Sequence, residues 1–176
     1  MSLQHALLTS LLERASSGYD LARRFDKSIG HFWHATHQQI YRELSRMEEA
    51  GWISSREAPD AGNTRKREYR VLARGRGELA RWASEVQPPA DLRDAFTVKV
   101  RAAAVLPTIS LDEEIVAHLA AHEAQLAQYR EIEARDFSDV APGRRAAVQH
   151  LILRKGVRYE EESIAWLKEL QEVLAR

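Results

Sequence analysis

Apolar positions recur at helical spacing along nearly the whole chain and give way to strand-like clustering over one short stretch. Leu3, Leu7, Leu8, Leu11 and Leu12 place an amphipathic helix over residues 2–15, because side chains three and four apart share a helix face. Ser16-Ser17-Gly18 breaks it. Ser17 with Asp20 three positions on has capping-box form, and Leu21, Phe25 and Ile29 continue as an i, i+4, i+8 stripe. Gly30 ends this second helix, and His31 to Ala35 make the turn. Thr36 with Gln39 is the next capping box. It opens a third helix with Ile40, Leu44 and Met47 on its buried face and Gly51 at the C′ position.

Residues 52–58 and 67–72 are rich in Trp, Ile, Tyr and Val and predict two strands of a hairpin, joined by the loop chemistry of Pro59-Asp-Ala-Gly-Asn63. A fourth helix over 74–86 carries Leu79, Trp82 and Val86 on one side. Gln87-Pro88-Pro89 is the clearest boundary in the chain and divides it into 1–88 and 89–176. Beyond it the pattern is helical throughout. Ala95, Phe96, Val98, Val100, Ala103 and Val105 form a compact apolar segment stopped by Pro107. Ser110 with Glu113 opens a long helix to about Arg135, and Pro142-Gly143 precedes a last helix running almost to Arg176. That helix bears Val148, Ile152, Tyr159, Ser163, Trp166, Leu170 and Val173 along a broad stripe. Two long amphipathic helices and a short one make a thin bundle, which leaves apolar surface for a partner.

Composition changes the picture in two places. The formal net charge is zero, which argues against nucleic acid until the halves are separated. Residues 1–90 hold 14 Lys and Arg against 11 Asp and Glu, an excess of three positive charges, and residues 91–176 hold 12 against 15, the mirror deficit. Phosphates feel local charge, because salt screens beyond about 8–10 Å, and the basic residues cluster at Arg65-Lys66-Arg67. Cysteine is absent, which excludes a disulfide scaffold, thiolate zinc sites and cysteine nucleophiles. The first residues lack a basic signal-peptide region and no apolar run reaches the roughly 18 residues of a membrane helix, so a cytoplasmic protein without a membrane partner is expected.

Helices two and three followed by a strand, a basic turn and a second strand describe a winged helix-turn-helix. The third helix is the element that enters a major groove, while the basic turn lies along the phosphates. At 100° per residue, Gln38, Arg42, Ser45 and Glu49 oppose the buried face, with Gln39, Tyr41 and Arg46 on its flanks. A plain solvated face has similar composition, and it is the setting between two helices and a wing that favours DNA. The predicted contacts are Gln38, Gln39, Tyr41, Arg42, Ser45 and Arg46 with Tyr19 of the second helix, and Arg65, Lys66 and Arg67 on the backbone.

With these residues in place the chain resembles the PadR family of transcriptional regulators, of the type with the larger C-terminal helical domain. Ser17-Gly-Tyr-Asp-Leu21, the run Gln39 to Trp52 and Arg65-Lys66 with Tyr69 are similar to the family's second helix, recognition helix and wing. Leu92 to Val100 and Leu151 to Glu161 with Trp166-Leu167 are similar to its dimerisation domain. Two positions depart from the pattern: Ala73 stands where a capping Thr or Ser is usual, and Glu68-Tyr69 where two aromatics are frequent. The resemblance implies a mainly α protein, with an N-terminal winged helix-turn-helix bearing a small β-hairpin and a C-terminal helical dimerisation domain. It further implies a homodimeric repressor on a pseudo-palindromic operator in double-stranded DNA, relieved by a small-molecule effector or another signal that changes the angle between domains. Phe96, Tyr159, Trp166 and Leu170 are the expected dimer contacts. Trp33 or Trp82 with Trp166 would line a cavity for a planar apolar effector; ordinary core positions are the alternative for all three.

Other chemistries find little support. His31, His34 and His37 lie close together and His118 with His122 has i, i+4 spacing, but Leu-Ala-Ala fills 119–121, so no HExxH pattern exists and structural roles are expected, with no metal or cofactor. No G-x-S-x-G elbow, P-loop or dinucleotide fingerprint is present, and Asp112-Glu113-Glu114 and Glu160-Glu161-Glu162 read as helix-terminal or solvated charge. The chain is not expected to be an enzyme. Two readings compete with the DNA-binding repressor. A winged-helix protein-interaction module has no use for Arg65-Lys66-Arg67 at a wing tip. A MarR-like regulator places dimer helices on both sides of the winged helix, whereas here the extra helix is almost all C-terminal.

Overall fold

The computed structural model of the chain describes residues 3–26, 33–57, 67–89, 93–106, 108–138 and 143–175. They divide into two units, Met1–Ala90 and Asp91–Arg176. In the first, α1 (Leu3–Glu13) buries Leu7, Leu8 and Leu11. Carbonyls at its C-terminal end are met by Arg24, whose Nη2 donates to Ser10 O at 2.7 Å and Arg14 O at 2.8 Å. Ser17 caps α2 (Gly18–Asp26): the Asp20 amide donates to Ser17 Oγ at 3.1 Å, and that hydroxyl donates to the Asp20 carboxylate at 2.6 Å. Leu21 and Phe25 are buried as the stripe predicts; Ile29 and Gly30 lie outside the described residues.

Both halves of the Thr36–Gln39 capping box are present at the start of α3 (His37–Glu49), and Ile40, Leu44 and Met47 are fully buried. After the cap residue Ala50, Gly51 takes φ 68°, a left-handed conformation that glycine adopts without steric cost. The chain then enters β2 (Ile53–Glu57), which pairs antiparallel with β3 (Arg67–Val71), Ile53 opposite Val71. The sheet has a third member. Ser16 and Ser17, expected to break the first helix and, at Ser17, to cap the second, also form a two-residue strand β1 opposite Tyr69 and Glu68, so the order is β1-β3-β2. The fourth helix, α4 (Ala73–Ser84), starts without a side-chain cap on Leu72. Val86, expected to share its apolar side with Leu79 and Trp82, falls beyond the helix and is almost fully exposed. Leu7, Leu8, Leu11, Leu21, Phe25, Ile40, Leu44, Met47 and Ile53 close one core against which Trp33, Trp52, Tyr69 and Leu79 pack.

The second unit is helical. Asp94 caps α5 (Ala95–Ala103) by accepting from the Phe96 amide at 2.9 Å and from the Thr97 hydroxyl, which also holds its carboxyl below the usual range. The long helices α6 (Asp112–Phe137) and α7 (Arg144–Leu174) run antiparallel, since His122 meets Glu160 while Glu133, further along α6, meets His150 near the start of α7. Gly156 makes the helices' close approach possible: a Cβ there would lie 2.9 Å from the Tyr129 ring. Phe96, Ala103, Leu111, Ile115, Leu167 and Leu170 form the core. Its composition corrects the expected stripe on α7. The inward line is Leu153, Val157, Glu160, Ile164 and Leu167 with Leu170 of the expected stripe, whereas Val148, Ile152, Tyr159, Trp166 and Val173 are exposed. Val98 and Val105 of the α5 segment are exposed as well. Among the described residues no helix is long and apolar enough to cross a membrane.

Candidate DNA interface

The buried anchors of α3 turn its opposite face outward: Gln38, Gln39, Tyr41, Arg42, Ser45, Arg46 and Glu49 are all exposed. Their side chains are not equally free. Gln39 Oε1 accepts from the Thr36 amide at 2.8 Å, so its carbonyl belongs to the cap and only its amide group is left for a ligand. Ser45 Oγ donates to Tyr41 O at 3.2 Å. Arg46 Nη1 pairs with Glu43 Oε1 at 2.7 Å, while Arg42 Nε approaches the same oxygen only to 4.0 Å. Gln38 and Arg42 are exposed, and their side-chain types are the ones capable of bidentate contact to base edges.

Neighbouring elements hold this helix in place. Tyr41 lies over the start of α2, where a Cβ on Gly18 would come within 2.6 Å of its ring; glycine alone leaves room for the tyrosine. Tyr19, one residue on, is exposed with Arg23 Cζ 5.6 Å from its ring centroid, a cation–π contact. His37 Nε2 and Asp26 Oδ2, 2.8 Å apart, join the start of α3 to the end of α2. Glu43 accepts from Gln4 Nε2 of α1 at 2.9 Å. The helix is thus braced by α1 and α2, and of the residues involved Gln4, Asp26 and Glu43 were not singled out by the periodicity. Only the acidic character of Glu43, beside two arginines on a face meant for phosphates, could have drawn attention to it.

On the wing, Arg67 is exposed and sits 3.7 Å from Glu48 Oε1 of α3. Arg65 and Lys66, predicted to contact the backbone with it, lie outside the described residues. Tyr69 carries a phenol pushed above its usual range by burial, against a smaller opposing effect of Arg67.

The four expected dimer contacts divide. Phe96 and Leu170 are buried in the second unit's own core, while Tyr159 and Trp166 reach the surface. Of the tryptophans considered for an effector cavity, Trp33 packs on the first core, Trp82 stacks on His5 with centroids 4.5 Å apart, and Trp166 meets Phe96 edge-on at 6.0 Å. The spaced histidines of α6 are likewise occupied. His118 stacks on Phe96 at 4.4 Å, and His122 pairs with the buried Glu160. Among the described residues no cluster of three or more potential metal ligands occurs.

Residues 7–81 match the transcriptional regulator PadR-like family, and residues 92–175 match the virulence activator alpha C-terminal family. Over 99% of its length the chain is 44% identical to the probable transcriptional regulator Rv1176c of Mycobacterium tuberculosis (strain ATCC 25618 / H37Rv), covering 98% of that protein. The negative transcriptional regulator PadR of Bacillus subtilis is 26% identical over 96% of this chain and 94% of its own. Its crystal structure with operator DNA superposes with a TM-score of 0.81 at 27% identity, covering 98% of each chain. Its structure with p-coumaric acid gives a TM-score of 0.78 at 25% identity, over 99% of this chain and 96% of that one. The Vibrio cholerae virulence activator AphA matches with a TM-score of 0.78 at 30% identity, over 99% of this chain and 96% of its own. The winged helix-turn-helix, the long C-terminal helices and the end-to-end similarity have one common meaning: the chain belongs to the PadR-like family of transcriptional regulators.

Proposed function

We propose that this regulator is a homodimeric repressor that reads a pseudo-palindromic operator with α3 and holds the flanking phosphates with its wing. The observation that carries the reading is the division of α3: Ile40, Leu44 and Met47 lock it to the core while Gln38 and Arg42 stand exposed, Arg42 4.0 Å from Glu43. Tyr19, Tyr41 and the wing residues Arg65, Lys66 and Arg67 fit phosphate contacts around it. Two reading heads related by a twofold axis would meet half-sites about one helical turn apart, or a multiple of that.

Dimerisation is supported by the outward row on α7. Ile152, Tyr159, Trp166 and Val173 recur every seven residues and are exposed, with Val148 and Leu151 nearby, the pattern of a helix that covers an apolar seam with a second copy. The domains assigned from sequence, 1–88 for DNA and 89–176 for dimerisation, serve this division of labour in the cytoplasm, where the DNA is. Negative regulation is supported by the Bacillus relative, itself a negative transcriptional regulator. That relative's complex with p-coumaric acid makes small planar phenolic acids the first effector class to test. An effector acts by binding one separation of the reading heads better than another, since a shift of a few Å takes them out of register with successive grooves.

Selection of bound duplexes from a random pool, followed by mapping of genomic sites, tests the reading. Recovery of an inverted repeat upstream of regulated genes, with transcription rising when the regulator is deleted, is the expected result. Enrichment of no sequence, with capture of a protein through the winged helix instead, overturns it.

A further inference from the structure

Glu48 occupies a position where elementary electrostatics disfavours it. It lies in the last turn of α3, where the helix dipole opposes a negative charge, and in a helix proposed to enter a groove lined by phosphates, which would repel it. Yet its side chain is half-buried, and one oxygen accepts two hydrogen bonds and stands within ion-pair distance of a guanidinium. Glu48 Oε1 accepts from the Ser55 amide at 3.0 Å and from the Ser55 hydroxyl at 2.6 Å, and Arg67 Nη2 lies 3.7 Å away.

Strand register explains the Ser55 amide. Leu72 N donates to Trp52 O at 2.9 Å, so Trp52 and Leu72 form a hydrogen-bonded pair, and such pairs alternate along the ladder. Ser55, opposite Tyr69, therefore turns its N–H away from β3, and β2 is the outer strand of the sheet. Glu48 supplies the acceptor for this edge. A single carboxylate thus ties the helix to the outer strand of the wing through Ser55 and to the inner strand through Arg67.

We infer that Glu48 is a positioning residue that sets the wing against α3, so that Arg67 meets the backbone in register with the base contacts of Arg42. The inference rests on the DNA-binding reading above. It assigns to an acidic residue a favourable part in binding an anionic ligand, and this gives it a sign that can be tested. An acidic side chain with no positioning role weakens binding by repulsion alone, and its removal tightens binding.

The experiment uses the full chain and a duplex selected by the wild-type protein from a random pool, with affinity measured across salt concentrations. E48A should bind about tenfold more weakly and lower the salt slope by about one, the amount a lost phosphate contact removes. R67A should do the same, and E48A/R67A no more than either. E48Q, which keeps a neutral acceptor, should preserve slow exchange of the Ser55 amide in the free protein and recover most of the affinity; E48A should lose that protection. Unchanged or tighter binding by E48A, or additive losses in the double variant, overturns the inference. Should E48A fail to fold, S55A serves in its place, with binding about threefold weaker expected and wild-type binding overturning the assignment. A wild-type protein that selects no sequence refutes the DNA-binding reading instead. Exchange of the Ser55 amide then decides on Glu48 alone, protection that survives E48A overturning the positioning role.

Discussion

The two units bury their apolar residues to different depths. In the first, the ten residues of the core are all at most 3% exposed. In the second, only Ile115 and Leu167 are so well enclosed, while Phe96, Ala103, Leu111 and Leu170 retain 6–8% and a row of large side chains on α7 is open. Three helices and a sheet enclose a volume; two long helices and a short one make a layer with an uncovered side. One unit closes its own core, and the other leaves an apolar face that the proposed second copy would cover. Stability and assembly are therefore expected to separate along the boundary between them.

The sharpest way to break this comparison is to empty one closed core. Leu44→Ala removes a fully buried side chain beneath the reading face, and a cost of about 2–5 kcal/mol is expected. Urea denaturation should show it as early unfolding of the first unit with the second unit's dimer unchanged. A loss below about 1 kcal/mol would mean that the first core is as loose as the second. Charging the open side tests the other half: Tyr159→Glu with Trp166→Glu should weaken self-association by about 2–4 kcal/mol, as loss of an interface centre does. Sedimentation should then give a species near the 20.1 kDa of one chain that keeps its helical signal. A dimer that persists in this double variant would place the interface elsewhere.

Smaller effects sharpen the picture of the first unit. Arg42→Ala should cost about 1–3 kcal/mol on the selected operator and relax discrimination at one base pair, with little effect on random DNA; equal losses on both would make it a backbone contact. The smallest effect is electrostatic. Hydrogen bonds from Arg81, and then from His5, hold the Glu78 carboxyl down to about 2 from an ordinary 4.5, linking α4 to α1. A depressed carboxyl stabilises the fold above its ordinary value and loses that contribution as pH falls toward about 2. Thermal unfolding of Glu78→Gln should accordingly depend less on pH between about 4.5 and 2 than the wild type does; identical acid limbs would show that the pairing adds nothing to stability.

What the amino-acid sequence determined by itself was the local chemistry. Thr36 with Gln39 and Gly51 mark both ends of α3, because caps and left-handed turns are decided within a few residues. The buried face of α3 follows for the same reason: its polar side leaves one way to pack. Tertiary structure decided the rest. Ser16 and Ser17 carry no strand pattern and became one because Glu68 and Tyr69 offered an unpaired edge. On α7 the apolar residues surround much of the helix, so periodicity could not tell the row facing α6 from the row facing outward; Gly156 and the His122–Glu160 pair chose it by admitting Tyr129 and by giving the buried Glu160 a partner on α6. Glu48, seven residues from Ser55 and nineteen from Arg67 along the chain, acquired its role only when the hairpin folded back on the helix. Caps act over one helical turn and can be read from neighbours, whereas the choice of a helix face or an edge acceptor depends on surfaces that meet only in the folded chain.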